Sequence, residues 1–188
     1  MPHCLINGLP QSGKSTYAQL HCRLIGSRIG RSCVYNPFGA AGWRSTIPPF
    51  DDPDQLIGFL RSQPAPTSTY IEESGLSLGR DPNFHLLTNA SHHWGNYCYL
   101  LSQDPTMLHP VLRRGCDSLV TFAAVPVSAE LLAEQFNDPQ IAELCPNLPR
   151  FHYLKKLPFS PLVMGRIDLR RPTFIEWPAT EIKTRSAR

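Results

Sequence analysis

Gly8-Leu9-Pro10-Gln11-Ser12-Gly13-Lys14-Ser15-Thr16 is the stretch from which the rest of the chain is read. It matches every fixed position of G-x-x-x-x-G-K-[ST]. Glycines let the backbone curl so that several N–H groups converge on one anion. The lysine ammonium reaches the outer phosphates of a nucleotide, and the hydroxyl after it ligates Mg²⁺. Gly8, Gln11, Ser12, Gly13, Lys14, Ser15 and Thr16 are therefore the candidate nucleotide-binding residues. Upstream, His3-Cys4-Leu5-Ile6-Asn7 is a short apolar run that reads as a strand. Downstream, residues 17–24 read as a helix with Tyr17, Leu20 and Leu24 on one stripe. Such a helix aims its positive end at the same anion. Strand, loop and helix in that order set the motif apart from a Gly-rich turn that binds nothing.

The remaining chain alternates in the same way. Residues 32–36 read as a second strand, stopped by Pro37-Phe38-Gly39, with a loop to about residue 50. Asp52 is a plausible N-cap with Pro53 at the first helical position, and Leu56, Ile57 and Leu60 supply the apolar face. A third strand over 68–71 ends in Glu72-Glu73, and a fourth over 96–102 ends at Gln103, with a helix expected over 84–93. A fifth strand covers 117–123. A helix is expected over 128–136, capped by Ser128, with Leu131, Leu132 and Phe136 inward, then a short helix over 139–144. Residues 151–154 and 162–167 look like two further strands. Strands alternating with helices, many of them apolar throughout, predict an α/β fold with a parallel sheet between helical layers. The expected organisation is one catalytic domain over 1–168 and a basic, proline-interrupted tail or arm over 169–188.

Composition agrees with one globular domain: 188 residues, 41% hydrophobic and 18% charged. No apolar stretch is long enough to predict a transmembrane helix, and no secretory leader is expected at the start. Cysteines at 4, 22, 33, 98, 116 and 145 form no CxxC pair, which favours buried reduced thiols in a cytoplasmic setting over a disulfide framework or a zinc site. The net charge of +3 conceals a pattern. Residues 1–50 carry five basic and no acidic side chains, 51–150 five and twelve, and 151–188 eight and three. The positive ends suit phosphate ligands or nucleic acid, and equally suit an unevenly charged solvated surface.

Four features fall at strand ends, where an open α/β sheet builds its ligand site. Besides the phosphate loop, Glu72-Glu73 leaves an apolar strand as two adjacent acids. One carboxylate near Mg²⁺ and one polarising a water is what nucleotide hydrolysis requires, so Glu72 is read as the metal residue with Ser15, and Glu73 as the base. Gln103 follows the next strand, where an amide can touch the γ-phosphate and the water together. The fourth is residues 86–117, with His93-Trp94-Gly95 and Gln103 in that order.

With these residues the chain resembles the FtsK–HerA superfamily of P-loop ATPases, including its viral genome-packaging branch and the related Zot-like phage assembly proteins. Val34-Tyr35-Asn36-Pro37-Phe38-Gly39 resembles the segment after strand two in that family, where an aspartate often replaces Asn36. The resemblance covers roughly residues 3–125. It implies an ASCE-type, RecA-like sheet ordered 5-1-4-3-2 with extra C-terminal strands, and ATP and Mg²⁺ as cofactors. It also implies a homo-oligomeric ring, a hexamer, around sequence-independently bound DNA. Capsid or portal-vertex proteins are the implied partners, and the host cytoplasm or the virion the implied location. Lys14, Glu72, Glu73 and Gln103 are then the catalytic set. Glu72 departs from the aspartate usual at that position, and Ser91 or His92 stands where an arginine is common. A finger arginine must come from elsewhere, with Arg80, Arg113 and Arg114 as candidates. The rival expectations are a small-molecule kinase, a Zot-like filament-assembly ATPase, and a nucleotide-binding module without turnover.

Overall fold

The computed structural model describes residues 3–78 and 82–179. Arg80, and Lys183, Arg185 and Arg188 of the expected tail, lie outside the described residues. In chain order the strands and α-helices are β1 (Cys4–Asn7), α1 (Lys14–Ile29), β2 (Ser32–Tyr35), α2 (Pro53–Ser62), β3 (Thr67–Ile71), α3 (Ser74–Ser77), α4 (Leu86–Asn89), β4 (Asn96–Ser102), α5 (Pro110–Arg114), β5 (Ser118–Thr121), α6 (Pro126–Gln135), α7 (Gln140–Leu144), β6 (His152–Lys156), β7 (Val163–Asp168) and β8 (Thr173–Pro178).

The strands form one sheet in the order β2-β3-β4-β1-β5-β6-β7-β8. Its first five members, read from the other side, are the expected 5-1-4-3-2, and all four of their pairings are parallel. The sheet is not wholly parallel, because β6, β7 and β8 continue beyond β5 as an antiparallel meander. β1 is central: Leu5 pairs with Leu100 on one side and Leu119 on the other. Both faces of the strands are covered. Leu5, Cys33, Ile71, Leu100 and Leu119 join the core under α2 and α6. Ile6, Val34, Tyr70, Leu101 and Val120 join the core with Tyr17, Ala18 and Leu20 of α1. Strict alternation between two apolar cores explains why these strands read as continuous apolar runs.

Local chemistry sets the boundaries. Asp52 caps α2 as expected, its side chain accepting from the amides of Asp54 and Gln55. Ser128 does not cap α6: Pro126 occupies the first turn after Val125, and the Ser128 hydroxyl donates to Asp104 Oδ1 at 3.1 Å. The helix expected over 84–93 is broken into 3₁₀ turns at Pro82–His85 and Ser91–Trp94 around the single turn of α4. Ser91 Oγ donates to the Leu87 carbonyl and takes the acceptor that a continuing helix needs. Part of the expected tail is β8. Thr173, Phe174, Ile175 and Trp177 suit a strand, and its proline is the last residue of an edge strand, where no ladder amide is lost. All six cysteines are free and buried. Among the described residues, no helix is long and apolar enough to cross a membrane.

Beneath α1 lies an aromatic cluster that encloses His21. His21 accepts or donates through Nδ1 to the Tyr70 hydroxyl at 2.8 Å, and its ring approaches Tyr99 at 4.8 Å. Burial, helped by the Lys155 charge, lowers the His21 pKa to about 4. The native fold therefore holds His21 neutral, while the unfolded chain protonates it near its ordinary pKa. The stability it contributes is full above about pH 6.5 and is lost as pH falls to about 4, by up to about 3 kcal/mol. Urea denaturation across that window should show His21→Gln losing less stability than the parent on acidification.

Candidate nucleotide-binding and hydrolytic site

The phosphate loop leaves β1 and is held from three sides. The Gly8 amide donates to the Ser102 carbonyl at 3.2 Å, the Leu9 amide to Ala123 at 2.8 Å, and the Phe151 amide to Ser12 at 2.8 Å. Gly8 and Gly13 are required here. Both have positive φ, and a Cβ on Gly8 would fall 2.6 Å from Phe122 Cβ, one on Gly13 2.9 Å from Phe151 Cδ1. Arg150 completes the clamp: its Nε donates to the Gln11 carbonyl at 3.1 Å, and its guanidinium lies 4.6 Å from the Phe151 ring centroid. Phe122, Arg150 and Phe151 carried no signal in the sequence, since their role comes from tertiary approach to glycines far away in the chain.

Lys14 is buried, and its Nζ donates to the Leu9 carbonyl at 3.3 Å across the loop. Burial lowers its pKa, and the Glu73 and Glu72 carboxylates act against that. Among the described residues, the buried Ser12 hydroxyl has no hydrogen-bond partner. Ser15 and Thr16 are half-buried at the start of α1. A curled loop with an ammonium, a spare hydroxyl and a helix start is built for an anion.

The structure brings the expected acids to the same end of the sheet. Glu72 follows β3 and is only 4% exposed; its Oε1 accepts from the Trp43 indole Nε1 at 3.1 Å. Desolvation raises its pKa; hydrogen bonding from Trp43, the Lys14 charge and Ser15 hold it down, while Glu73 pushes it further up. Glu73 adopts a left-handed conformation, φ 46° and ψ 47°, at the head of α3. That conformation costs a non-glycine residue on the order of 1 kcal/mol. Glu73 Oε1 accepts from Gln103 Nε2 at 2.9 Å. The two residues singled out on separate strands are thus a bonded pair.

Other candidates fall elsewhere. His92 and His93 are exposed beside Gly95, at the amino end of β4 and so away from the loop. Asn36 closes its own turn, exchanging two 2.9 Å bonds with the Ala40 backbone. Arg113 donates to the Pro105 carbonyl at 2.8 Å, and Arg114 is exposed. Trp43, missed in the sequence, comes from the loop after β2, where a lone aromatic among small residues has no periodicity to mark it.

The residues present suit Mg²⁺. A desolvated carboxylate faces the Ser15 hydroxyl beside a lysine, and a cation would relieve the burial of Glu72. Among the described residues, no group of three or more His, Cys, Asp or Glu side chains could hold a metal by itself. Mg²⁺ commonly takes one or two carboxylates plus substrate phosphates, so a site of this kind depends on the nucleotide.

A sheet ordered 5-1-4-3-2, a phosphate loop after its central strand and carboxylates after β3 define the P-loop NTPase fold. Solved structures share it. The genome-packaging NTPase B204 from Sulfolobus turreted icosahedral virus 2, in complex with AMPPCP, aligns with TM-score 0.63 and 16% identity over 93% of this chain and 96% of that one. The pCW3 conjugation coupling protein TcpA aligns at 0.60 and 13% identity, over 85% of this chain and 58% of its own. The cytoplasmic domain of the type VII secretion ATPase EccC from Thermomonospora curvata aligns at 0.60 and 16%, over 91% and 26%. No family model and no curated protein matches the sequence. What these structures share with the chain is the fold.

The buried acid makes a stability prediction. Because its folded pKa is raised, Glu72 contributes fully below the ordinary glutamate range and loses that contribution as pH rises through the raised value. Glu72→Gln has no such loss. In the absence of nucleotide and metal, thermal melts should find Glu72→Gln more stable than the parent by on the order of 1 kcal/mol near neutrality, with the gap closing toward pH 4.

Proposed function

We propose that this chain is an ATPase that moves DNA, of the kind that packages a viral genome. The observation that carries the reading is the Glu73–Gln103 pair, set beside Glu72, Lys14 and Ser15 at the mouth of the phosphate loop. A kinase needs a positioned acceptor hydroxyl; a hydrolase needs a positioned base and an amide to orient water, and Glu73 and Gln103 suit those two parts. Support for the packaging role comes from likeness to B204 over nearly the whole length of both chains.

In this mechanism the loop amides and Lys14 bind the phosphates of ATP. Ser15 and Glu72 would hold Mg²⁺, which when bound neutralises charge on the β- and γ-phosphates. Glu73 takes the proton of the attacking water, and Gln103 orients that water against the γ-phosphate. A homo-oligomeric ring would complete the site with an arginine from a neighbour. Arg113 is committed to Pro105 of its own chain, which leaves exposed Arg114 as the better placed of the two described candidates.

Lys14→Ala should abolish turnover and weaken nucleotide binding. Glu73→Gln should retain ATP binding while hydrolysis falls by at least about 100-fold. Phosphate release and nucleotide titration test both, and parental hydrolysis by Glu73→Gln would remove the base assignment. Mixing Glu73→Gln with parent subunits should depress activity more steeply than their fraction; a strictly linear loss from a monomer would favour the kinase.

DNA contact is proposed for the basic segment 151–188. Lys155 and Lys156 are already paired, with Glu176 at 3.0 Å and Asp138 at 2.9 Å. Arg166, Arg170 and Arg171 are exposed, and among the described residues none has a carboxylate within ion-pair distance. Sequence-independent binding must go to phosphates, with a log–log salt slope of about −0.9 per duplex phosphate neutralised. Replacing these three arginines by glutamine should make the slope shallower by up to about 2.7 and weaken DNA stimulation, while basal hydrolysis survives. An unchanged slope with failed ring assembly would make this surface an assembly element.

A further inference from the structure

The Trp43 indole N–H donates to Glu72 Oε1 at 3.1 Å, and nothing in the hydrolytic scheme uses it. Its placement is well supported from behind. The ring lies 5.4 Å from that of Tyr70, which stacks on Tyr99 at 4.7 Å and is bonded through its hydroxyl to His21 of α1. The preceding residues are docked on the same helix. Gln19 Nε2 donates to the Ala41 carbonyl at 2.8 Å, and a Cβ on Gly42 would come within 2.9 Å of the Gln19 side chain. Trp43 is therefore fixed relative to α1, the helix that begins with Lys14 and Ser15.

Glu72 needs such a partner. A glutamate has one more rotatable bond than an aspartate, and each free torsion spreads the carboxylate over positions that cannot all meet a cation beside Ser15. Glu72 is held at its backbone, where its amide donates to the Tyr35 carbonyl at 3.0 Å and its carbonyl accepts from Ser77 Oγ at 2.9 Å. Only the side chain remains to be set, and the indole N–H sets it. An indole cannot accept a hydrogen bond or titrate, so it orients the carboxylate without competing for the cation.

We propose that Trp43 is the positioning residue of the metal site: it fixes one carboxylate oxygen of Glu72 and leaves the other for the cation. This rests on the reading of Glu72 and Ser15 as the Mg²⁺ residues. Partners one step behind a metal ligand are commonly worth about 10- to 100-fold in metal affinity.

The test uses the full chain, a non-hydrolysable ATP analogue, and Mn²⁺ as the probe, with free Mn²⁺ followed by electron paramagnetic resonance. Trp43→Phe keeps a ring against Tyr70 and loses the N–H. It should weaken Mn²⁺ binding in the presence of the analogue about tenfold, while analogue affinity in EDTA stays at the parental value. In a Glu72→Gln background the same change should alter Mn²⁺ affinity by less than about twofold, because there is no longer a carboxylate to orient. A second protein, with Trp94 and Trp177 replaced by phenylalanine, retains Trp43 as its sole tryptophan. Its emission should respond to Mn²⁺ plus analogue, and should not when Glu72→Gln is added. Parental Mn²⁺ affinity in Trp43→Phe overturns the proposal, as does sole-tryptophan emission blind to the metal. An equal loss of analogue affinity in EDTA overturns it by making Trp43 a packing residue. Should Glu72→Gln alone bind Mn²⁺ like the parent, the metal reading itself falls, and this inference with it.

Discussion

Everything in this molecule depends on the close approach of two glycines to two phenylalanines. Gly8 lies against Phe122 and Gly13 against Phe151, at distances that no side chain on either glycine could share. That contact lets the loop curl without a hydrophobic side chain of its own to hold it. The three backbone bonds to Ser102, Ala123 and Phe151 then fix its outline before any ligand arrives. Anion binding is costly for a floppy loop, because each amide must be ordered at the moment of capture. Here that ordering is done by the fold.

The same economy governs the charges. Lys14 and Glu72 are both buried, and burial drives their pKa values toward neutrality from opposite sides. Each is a poor ion in isolation and a better one in the presence of the other. The left-handed backbone at Glu73 is a second local cost at the same end of the sheet.

Much of this was legible because it is written in residue type and spacing. The phosphate loop is a contiguous signal, and Glu72, Glu73 and Gln103 announce themselves by following apolar runs. The sheet order came from a family resemblance rather than from physics, and the pairing registers agree with it. What stayed hidden is what depends on distant approach. Arg150 reaches Gln11 across 139 residues of chain, and no local pattern predicts that bond. Trp43 stands alone in a loop. The C-terminal end, basic and interrupted by proline, reads as a tail, yet Thr173–Pro178 pairs with β7 as β8. Ser128 looked like a cap because its partner, Asp104, is remote in sequence. In each case a tertiary partner overrode a sound local rule.

The Phe151–Ser12 bond also sets a timetable. A chain emerging from the ribosome presents its phosphate loop before the residues that shape it. β1 cannot pair until β4 and β5 have been made, and the loop cannot close until Phe151 and β6 follow. With contacts of such sequence separation, ordering is slow to begin and late to finish. Until then the nascent chain carries the phosphate-loop motif without the bonds that outline it, and the loop takes its shape only after the fifth strand has been passed.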